Sequence, residues 1–289
     1  MKTILYKTFA LFLFVSGLAA CDSMVSDVDV SAADPKLVVN SYISTGLDSV
    51  HVRLNYSRPL YTISSYYDYS YSPVTDAVVK ISDGNEAVTL TYNAFDRQYF
   101  TTGLVISAGT TYYLEVTTPR QERVTSQCTV PLTDIPQPEI TSPESNPDYP
   151  YERSFGFQFK DPSGEGNFYR VAVGHYYQYG ELPEYSFFET IYMQTGEEFV
   201  SDINKDGEIF IYKTGWIPIS QPSGNSVSLL ISVTDEHYFN YHRSINNFQD
   251  DNPFSEPTPV YSNIEGGLGV FAAYKSQITE VALNGDANP

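Results

Sequence analysis

Three oxygen-bearing side chains alternate along one short segment, at Asp202, Asn204 and Asp206, and Gly207 follows them. This spacing matches the first half of a calcium-binding loop, in which alternate oxygens converge on the ion and a glycine permits the tight turn. Position 12 of such a loop is normally a bidentate Glu, but it is Lys213 here. A remote carboxylate would therefore have to complete a calcium site. The alternative, which the missing ligand favours, is a hairpin turn in which Asp and Gly serve the backbone geometry.

A second candidate site is a run of tyrosines between two predicted strands: Tyr66, Tyr67, Tyr69 and Tyr71. No apolar neighbours mark this run as a buried segment. Exposed tyrosines form a rigid amphipathic surface, which suits contact with a protein partner or stacking on sugar rings. The alternative is a β-hairpin whose tyrosines pack on neighbouring strands. We predict that these four residues bind a partner or a ligand.

Residue patterns for catalysis are sparse, and we predict that the protein is not an enzyme. The motifs G-x-S-x-G, C-x-x-C, H-E-x-x-H and the phosphate-binding loop do not occur in the sequence. His237 and His242 are five residues apart, which places them on different faces of a predicted helix. We expect each histidine to be solvated or satisfied within the core. The 35 acidic residues leave a hydrolase that uses a carboxylate pair as an open but unsupported alternative.

Cys21 ends a segment that has the features of a bacterial lipoprotein signal. Lys2 and Lys7 form a positive region, an apolar stretch follows, and Leu18-Ala-Ala-Cys21 resembles the lipobox. In signals of that kind the cysteine sulfur receives a diacylglycerol, and cleavage before it frees an amine that is also acylated. We predict a signal peptide at 1–20, lipid attachment at Cys21 and a lipidated flexible tether at 21–35. The alternative is an ordinary secretory signal with a chance cysteine.

The composition limits the partners of this chain of 289 residues. Lys and Arg number 16 against 35 Asp and Glu, which gives a net charge of −19. So acidic a chain can hardly form the basic face that nucleic-acid binding requires, and charge alone cannot hold it on anionic lipids. Membrane contact is therefore expected through the lipid anchor. The second cysteine, Cys128, shares a predicted strand face with Val124 and Val130, and we predict a buried structural thiol.

Strands must position most of these residues. Alternating runs over 36–130 predict about seven strands of an immunoglobulin-like or transthyretin-like sandwich. Six prolines within 131–150 predict an extended linker, and 151–289 is again rich in strands. Within it, 235–249 predicts one helix, capped by Thr234-Asp235, with apolar positions at Tyr238, Tyr241, Ile245 and Phe248. The prediction is a mostly β protein of two sandwich-like domains. The glycines within 264–269 are expected to let the backbone bend or approach another segment closely.

Eight segments, in order along nearly the whole mature chain, carry a family resemblance: Leu37–Ile43, Pro73–Asp83, Gly109–Val116, Cys128–Pro131, Phe159–Pro162, Asn167–Val171, Asn252–Pro257 and Val260–Phe271. Together they resemble a Bacteroidota lipoprotein family catalogued as domain of unknown function 4249. The resemblance implies a lipid-anchored outer-membrane protein of two β-domains, with the cell surface favoured over the periplasmic face. Members often accompany TonB-dependent receptors, which implies an accessory role. No catalytic residues are established for the family, and its members favour a turn at Asp202 to Gly207.

These observations lead to one expected function and two alternatives. We expect a non-enzymatic surface lipoprotein that serves a TonB-dependent receptor system by capturing a ligand or contacting a partner. The first alternative is a surface carbohydrate-binding protein, and the second is a hydrolase that depends on carboxylates. The expected partners are the membrane through the lipid anchor, such a receptor, and a glycan or another small ligand. No cofactor is expected unless calcium binds at Asp202, Asn204 and Asp206.

Overall fold

The computed structural model describes residues 34–57, 73–178, 186–219, 226–247 and 259–283, and in 176–178 and 186–187 only the backbone. Lys36–Arg58 and Ile63–Pro289 form one compact unit, to which the architecture below belongs. Met1–Pro35 and Pro59–Thr62 form a second unit, of which only Asp34 and Pro35 are described.

The first eight strands form two facing layers. They are β1 Leu37–Ser44, β2 Val50–Tyr56, β3 Val78–Ser82, β4 Ala87–Thr89, β5 Thr91–Asn93, β6 Gln98–Thr101, β7 Thr111–Thr117 and β8 Arg123–Thr129. One layer has the order β1-β2-β6-β5 and the other has the order β4-β3-β7-β8. Buried side chains of both layers share one core, such as Val39 and Leu54 from the first and Ile81 and Leu114 from the second. Alternation therefore sends every second residue inward, and the predicted sandwich is confirmed.

The remaining elements build a second pair of layers. They are β9 Glu139–Ile140, β10 Glu144–Ser145, β11 Glu152–Ser154, β12 Gly156–Lys160, β13 Phe168–Gln178, β14 Ser186–Thr190, β15 Met193–Thr195, β16 Phe199–Ser201, β17 Ile209–Thr214, β18 Ile217–Pro218, β19 Ser226–Thr234, α1 Glu236–Asn246 and β20 Leu268–Ala282. Val171 and Leu229, from β13 and β19, share a core with Phe159 and Tyr212, from β12 and β17. A small separate sheet has the order β10-β11-β18. The described residues are thus mostly strands with one short helix, as predicted.

Strand β20 connects the early and late parts of the chain. It pairs antiparallel with β19, and it pairs parallel with β1 from Val38↔Leu268 to Ser44↔Tyr274. Strand β20 is continuous over 15 residues, and one nine-stranded sheet runs β14-β13-β19-β20-β1-β2-β6-β5, with β16 added on β13. The division into two domains at 131–150 stays a prediction. The pairing of β20 with β1 joins a strand before that range to a strand after it. Within 131–150, β9 and β10 pair with β12 and β11.

The glycines before β20 allow β1 to approach closely. A Cβ at Gly269, where φ is +104°, would lie 1.9 Å from the Val39 carbonyl oxygen, and one at Gly267 would lie 2.7 Å from the Leu37 oxygen. No side chain fits at such distances, since real Cβ contacts essentially never fall below 3.0 Å. The predicted close approach of the backbone is confirmed.

Helix α1 begins at the predicted cap, where the Asp235 carboxylate accepts a hydrogen bond from the Tyr238 N–H at 2.8 Å. Tyr238 and Phe239 are buried and join Val270 and Ala272 of β20 in a third core. The expectation that Ile245 belongs to the apolar face is wrong, because its side chain is 42% exposed. The helix packs through aromatic residues of its first turns, whereas Ile245 lies beyond the sheet contact. Phe248 lies outside the described residues.

Candidate ligand-binding site

Two of the predicted sites lie outside the described residues. These are the lipid attachment at Cys21 and the tyrosine run of Tyr66, Tyr67, Tyr69 and Tyr71, and both stay predictions. Within the described ranges, no helix has the length and apolar character needed to cross a membrane. Cys128 is a buried thiol, as predicted, and burial raises its pKa well above the ordinary value.

The predicted calcium residues meet a third acid. Carboxylate oxygens of Asp202 and Asp206 lie within 4.8 Å of each other and of an oxygen of Asp161, and these three residues are named the carboxylate cluster. Asp161 directly follows β12, and it supplies the remote carboxylate that the loop lacks. Asn204, the other predicted ligand, is exposed and has a φ of +62°. Lys213, at position 12, pairs instead with Glu144 at 3.2 Å.

Asp202 is fully buried and hydrogen-bonded by a neighbouring loop. One carboxylate oxygen accepts the backbone N–H groups of Gly166 at 2.9 Å and Asn167 at 3.0 Å. The other oxygen accepts the side-chain amide of Asn167 at 3.1 Å. Three donors offset the cost of burying this charge.

The other two acids bind the same pair of loops. Asp161 is 1% exposed and accepts the Gly207 N–H at 2.9 Å and the Tyr169 hydroxyl. Asp206 is exposed and accepts the Gly164 N–H at 2.7 Å. These bonds join the loops at 162–167 and 202–207. Calcium binding stays a prediction, and these side-chain hydrogen bonds connect the two loops rather than close the turn at 202–207.

A different set of residues lines an open pocket of 370 Å³ on the nine-stranded sheet beside α1. Its size falls within the range of about 300–1,000 Å³ that ligand pockets occupy. We name it the aromatic pocket, and it is lined by Tyr42, Arg170, Phe188, Leu230, Ser232, Tyr238, His242, Tyr274, Ser276 and Ile278.

Strand register builds the floor of the aromatic pocket. Arg170 of β13 pairs with Ser232 of β19, which pairs in turn with Ser276 of β20. Three polar side chains therefore form one row across three adjacent strands. The next row is apolar, with Leu230 opposite Ile278.

Arg170 is held by neighbours on two elements. Its Nε donates to the Glu198 carboxylate at 2.8 Å, and its Nη1 donates to the Tyr238 hydroxyl at 3.3 Å. The guanidinium carbon lies 5.9 Å from the centre of the Phe199 ring. The side chain is 26% exposed, so it stays partly accessible to solvent. Its charge is balanced by Glu198 within the same site.

Aromatic rings form the wall between the sheet and α1. The Tyr238 ring lies 5.5 Å from that of Tyr42, 5.6 Å from that of Tyr274 and 4.4 Å from that of His242. Burial raises the pKa of the Tyr42, Tyr238 and Tyr274 hydroxyls. All three therefore stay protonated at neutral pH and retain a hydrogen-bond donor.

His242 has a buried ring nitrogen, Nε2, that makes no hydrogen bond with any described residue. Its ring stacks on that of Phe199 at 5.6 Å, while burial and the nearby Arg170 lower its pKa to about 4. The imidazole is therefore neutral at pH 7. By contrast, the other helical histidine, His237, bonds the Tyr261 hydroxyl at 2.7 Å.

The sequence patterns did not single out the aromatic pocket. Arg170 and Ser276 lie more than 100 residues apart, and only the register of β13, β19 and β20 brings them together. His242 was expected to be solvated or satisfied, and its unpartnered Nε2 is a tertiary feature. The local signal that pointed toward the site was the predicted helix with its run of aromatic residues.

A larger open groove of 620 Å³ runs along β16, β17 and α1. Three isoleucines in it are strongly exposed: Ile203 by 56%, Ile209 by 53% and Ile211 by 62%. Ile209 and Ile211 point outward because β17 alternates, with Phe210 and Tyr212 in the core. We name these three residues the isoleucine patch.

Comparison with known families gives one match. A family model described as "Domain of unknown function (DUF4249)" matches residues 25–280. This range includes both the carboxylate cluster and the aromatic pocket. A comparison with curated proteins finds no match.

Proposed function

The chain belongs to the DUF4249 family, and from this membership we propose that it is a lipid-anchored lipoprotein of the outer membrane, at the cell surface, that acts as a non-enzymatic binding module accessory to a TonB-dependent receptor system. The observation that carries the binding role is the aromatic pocket. It combines partly exposed rings with the partly exposed Arg170 side chain and the exposed Ser276 hydroxyl. An open, mostly apolar pocket with a few convergent polar groups is the usual form of a ligand site.

The lipid anchor rests on the sequence before the tether. Leu18-Ala-Ala-Cys21 follows a positive region and an apolar stretch, as in bacterial lipoprotein signals. The anchor is tested by the mass of the mature N-terminus and by partition into detergent. We expect an acylated Cys21, and we expect the Cys21→Ala variant to lose the acyl mass. An unmodified Cys21 in the mature protein would contradict the anchor.

The isoleucine patch supports contact with a protein partner. Three branched apolar side chains that are each more than half exposed are unusual for a solvated surface, and clustered exposure of this kind marks interaction sites. Partner contact at this groove and ligand capture at the aromatic pocket are compatible, because different residues line the two.

Affinity purification of the tagged full-length lipoprotein from its native envelope tests the accessory role. Mass spectrometry of the bound material is expected to find a TonB-dependent receptor in stoichiometric amount. The Ile209→Glu, Ile211→Glu double variant should lose the receptor, whereas the Lys80→Glu variant, exposed on another sheet, should retain it. Repeated recovery of the lipoprotein alone would contradict the accessory role.

The carbohydrate-binding alternative gains support from the aromatic pocket and is developed below. The hydrolase alternative gains less. One cluster of three acids among the described residues consists of Asp161, Asp202 and Asp206, and the first two are 1% and 0% exposed. Carboxylates that are buried and hydrogen-bonded in this way are poorly placed to reach a substrate.

A further inference from the structure

We propose that the aromatic pocket binds a neutral sugar ring, which the pocket's aromatic and aliphatic side chains contact through its C–H faces while Arg170 and Ser276 contact its hydroxyls. This inference rests on the proposed binding function and names its ligand class. It assigns the ligand to described residues rather than to the tyrosine run at 66–71.

The polar groups of the pocket exclude a purely apolar ligand. Arg170 is partly exposed, and Ser276, in the same polar row, is exposed. An apolar ligand would cover these two groups without replacing the hydrogen bonds that water can supply to them, which costs about 1–3 kcal/mol for each group. A ligand with several hydroxyls replaces those bonds.

The charge balance favours a neutral ligand. Arg170 is already paired with Glu198 at 2.8 Å, so the site carries no free positive charge to attract an anion. The chain as a whole has a net charge of −19, and its field repels anions further. A cationic ligand would meet the Arg170 guanidinium within the pocket.

The apolar part of the pocket favours a ring with apolar faces. Tyr42 and Tyr274 are partly exposed, and the row of Leu230 and Ile278 lies next to the polar row. Aromatic side chains combine a large apolar face with a polar hydroxyl, and sugar rings present the same combination of C–H faces and hydroxyl edges. The protonated tyrosine hydroxyls add donors that a sugar oxygen accepts.

The pocket is organised before a ligand arrives, because α1 is fastened to the sheet at both sides. Asp235 accepts the Ala273 N–H at 3.1 Å, and the Tyr241 hydroxyl donates to Asn40 Oδ1 at 3.0 Å. Arg170 is held by Glu198 and Tyr238. Little side-chain freedom is therefore lost on binding, which favours affinity for a small ligand.

The test is a glycan array of neutral oligosaccharides built from glucose, galactose, mannose and xylose, with matched uronic acid oligosaccharides, probed with the full mature protein. Hits are then measured by isothermal titration calorimetry. We expect at least one neutral oligosaccharide to bind. Ser276→Trp should weaken it at least tenfold, because Ser276 is exposed and a tryptophan there fills the pocket without disturbing the core. Arg170→Gln should have a similar effect.

The control for the tryptophan substitution is Lys80→Trp, at an exposed position of β3, which should bind as the wild type does. Three results would overturn the inference. They are no binding of any neutral oligosaccharide, binding of the uronic acid series alone, and binding that survives Ser276→Trp but is lost after Tyr66, Tyr67, Tyr69 and Tyr71→Ala. Recovery of a receptor from the envelope would still support the proposed function in each case.

Discussion

The carboxylate cluster and the aromatic pocket both gather polar side chains from distant parts of the chain, yet they differ in how those groups are satisfied. Asp161, Asp202 and Asp206 accept hydrogen bonds that neighbouring loops supply. In the pocket, the Arg170 side chain is partly exposed and Ser276 is exposed. Polar groups that the protein satisfies by itself serve the fold, whereas groups left open at a surface pocket are available to a ligand.

The backbone explains this difference. The cluster lies between loops, and loops have N–H groups that no ladder uses, such as those of Gly164, Gly166 and Gly207. The floor of the pocket lies on three paired strands, where the ladder already consumes the backbone groups. Only side chains remain to bind anything there.

The largest effect is expected from breaking the cluster at its most buried member. Asp202→Ala leaves the N–H groups of Gly166 and Asn167 and the Asn167 amide without their acceptor. The free energy of unfolding, measured by urea denaturation, should fall by about 4 kcal/mol. Asp202→Asn keeps one oxygen acceptor and should lose about half as much. A loss below about 1 kcal/mol for Asp202→Ala would show that these bonds do not stabilise the fold.

A pH titration of stability tests the unpartnered histidine. The pKa of His242 falls from 6.5 to about 4 on folding, so between these values the unfolded chain binds a proton that the folded protein does not. The contribution of the neutral His242 ring to the free energy of unfolding is fully present above pH 6.5 and is lost as the pH falls toward 4. Relative to His242→Phe, the wild type should lose about 3 kcal/mol over that range. A constant difference between the two proteins would contradict the lowered pKa.

A smaller effect is expected at the hydroxyl that positions Arg170. Tyr238→Phe removes the group that accepts from Nη1 at 3.3 Å and keeps the ring contacts with Tyr42 and Tyr274. Stability should fall by about 1 kcal/mol, measured by thermal and urea unfolding. The matched control is Tyr113→Phe, on an exposed ring outside the pocket, which should change stability by less than about 0.5 kcal/mol. Equal losses of stability for both variants would show that the loss does not come from the contact between Tyr238 and Arg170.

The smallest effect is expected at the exposed acid of the cluster. Asp206→Asn keeps an oxygen for the Gly164 N–H and should change the free energy of unfolding by less than about 0.5 kcal/mol. Because hydrogen bonds already hold the two loops together, we expect calcium chloride and EDTA to leave the unfolding midpoints of the wild type and of Asp206→Asn unchanged. A midpoint that rises with calcium in the wild type, but not in Asp206→Asn, would instead establish the calcium site at this loop.

Local patterns predicted the parts of the fold that local rules govern. The alternation of Val50, Val52 and Leu54 predicted β2, because strand residues point to opposite faces in turn. Asp235 caps the helix as expected, and Gly269 lies where no Cβ fits. The wrong expectation concerned Ile245, since helical spacing does not reveal how far a helix extends over the sheet beneath it.

Two of the three acids of the carboxylate cluster were also visible in the sequence. The alternate oxygens at Asp202 and Asp206 follow from spacing alone, and the absence of a ligand at Lys213 called for a remote acid. That acid, Asp161, lies about 40 residues earlier, and no periodicity links it to the loop. The aromatic pocket was visible only through the aromatic residues of the predicted helix.

By itself, the sequence determined the mostly β class, the sandwich layers, the helix start, the close approach of the glycines and the buried thiol of Cys128. The tertiary structure alone decided that β20 pairs with both β19 and β1, and that Arg170, Ser232 and Ser276 share one row beside His242. The physical reason is that strand register depends on which whole faces pack into a common core. A local pattern states which residues of a strand point inward, but only the packed sheets determine which distant residues become neighbours.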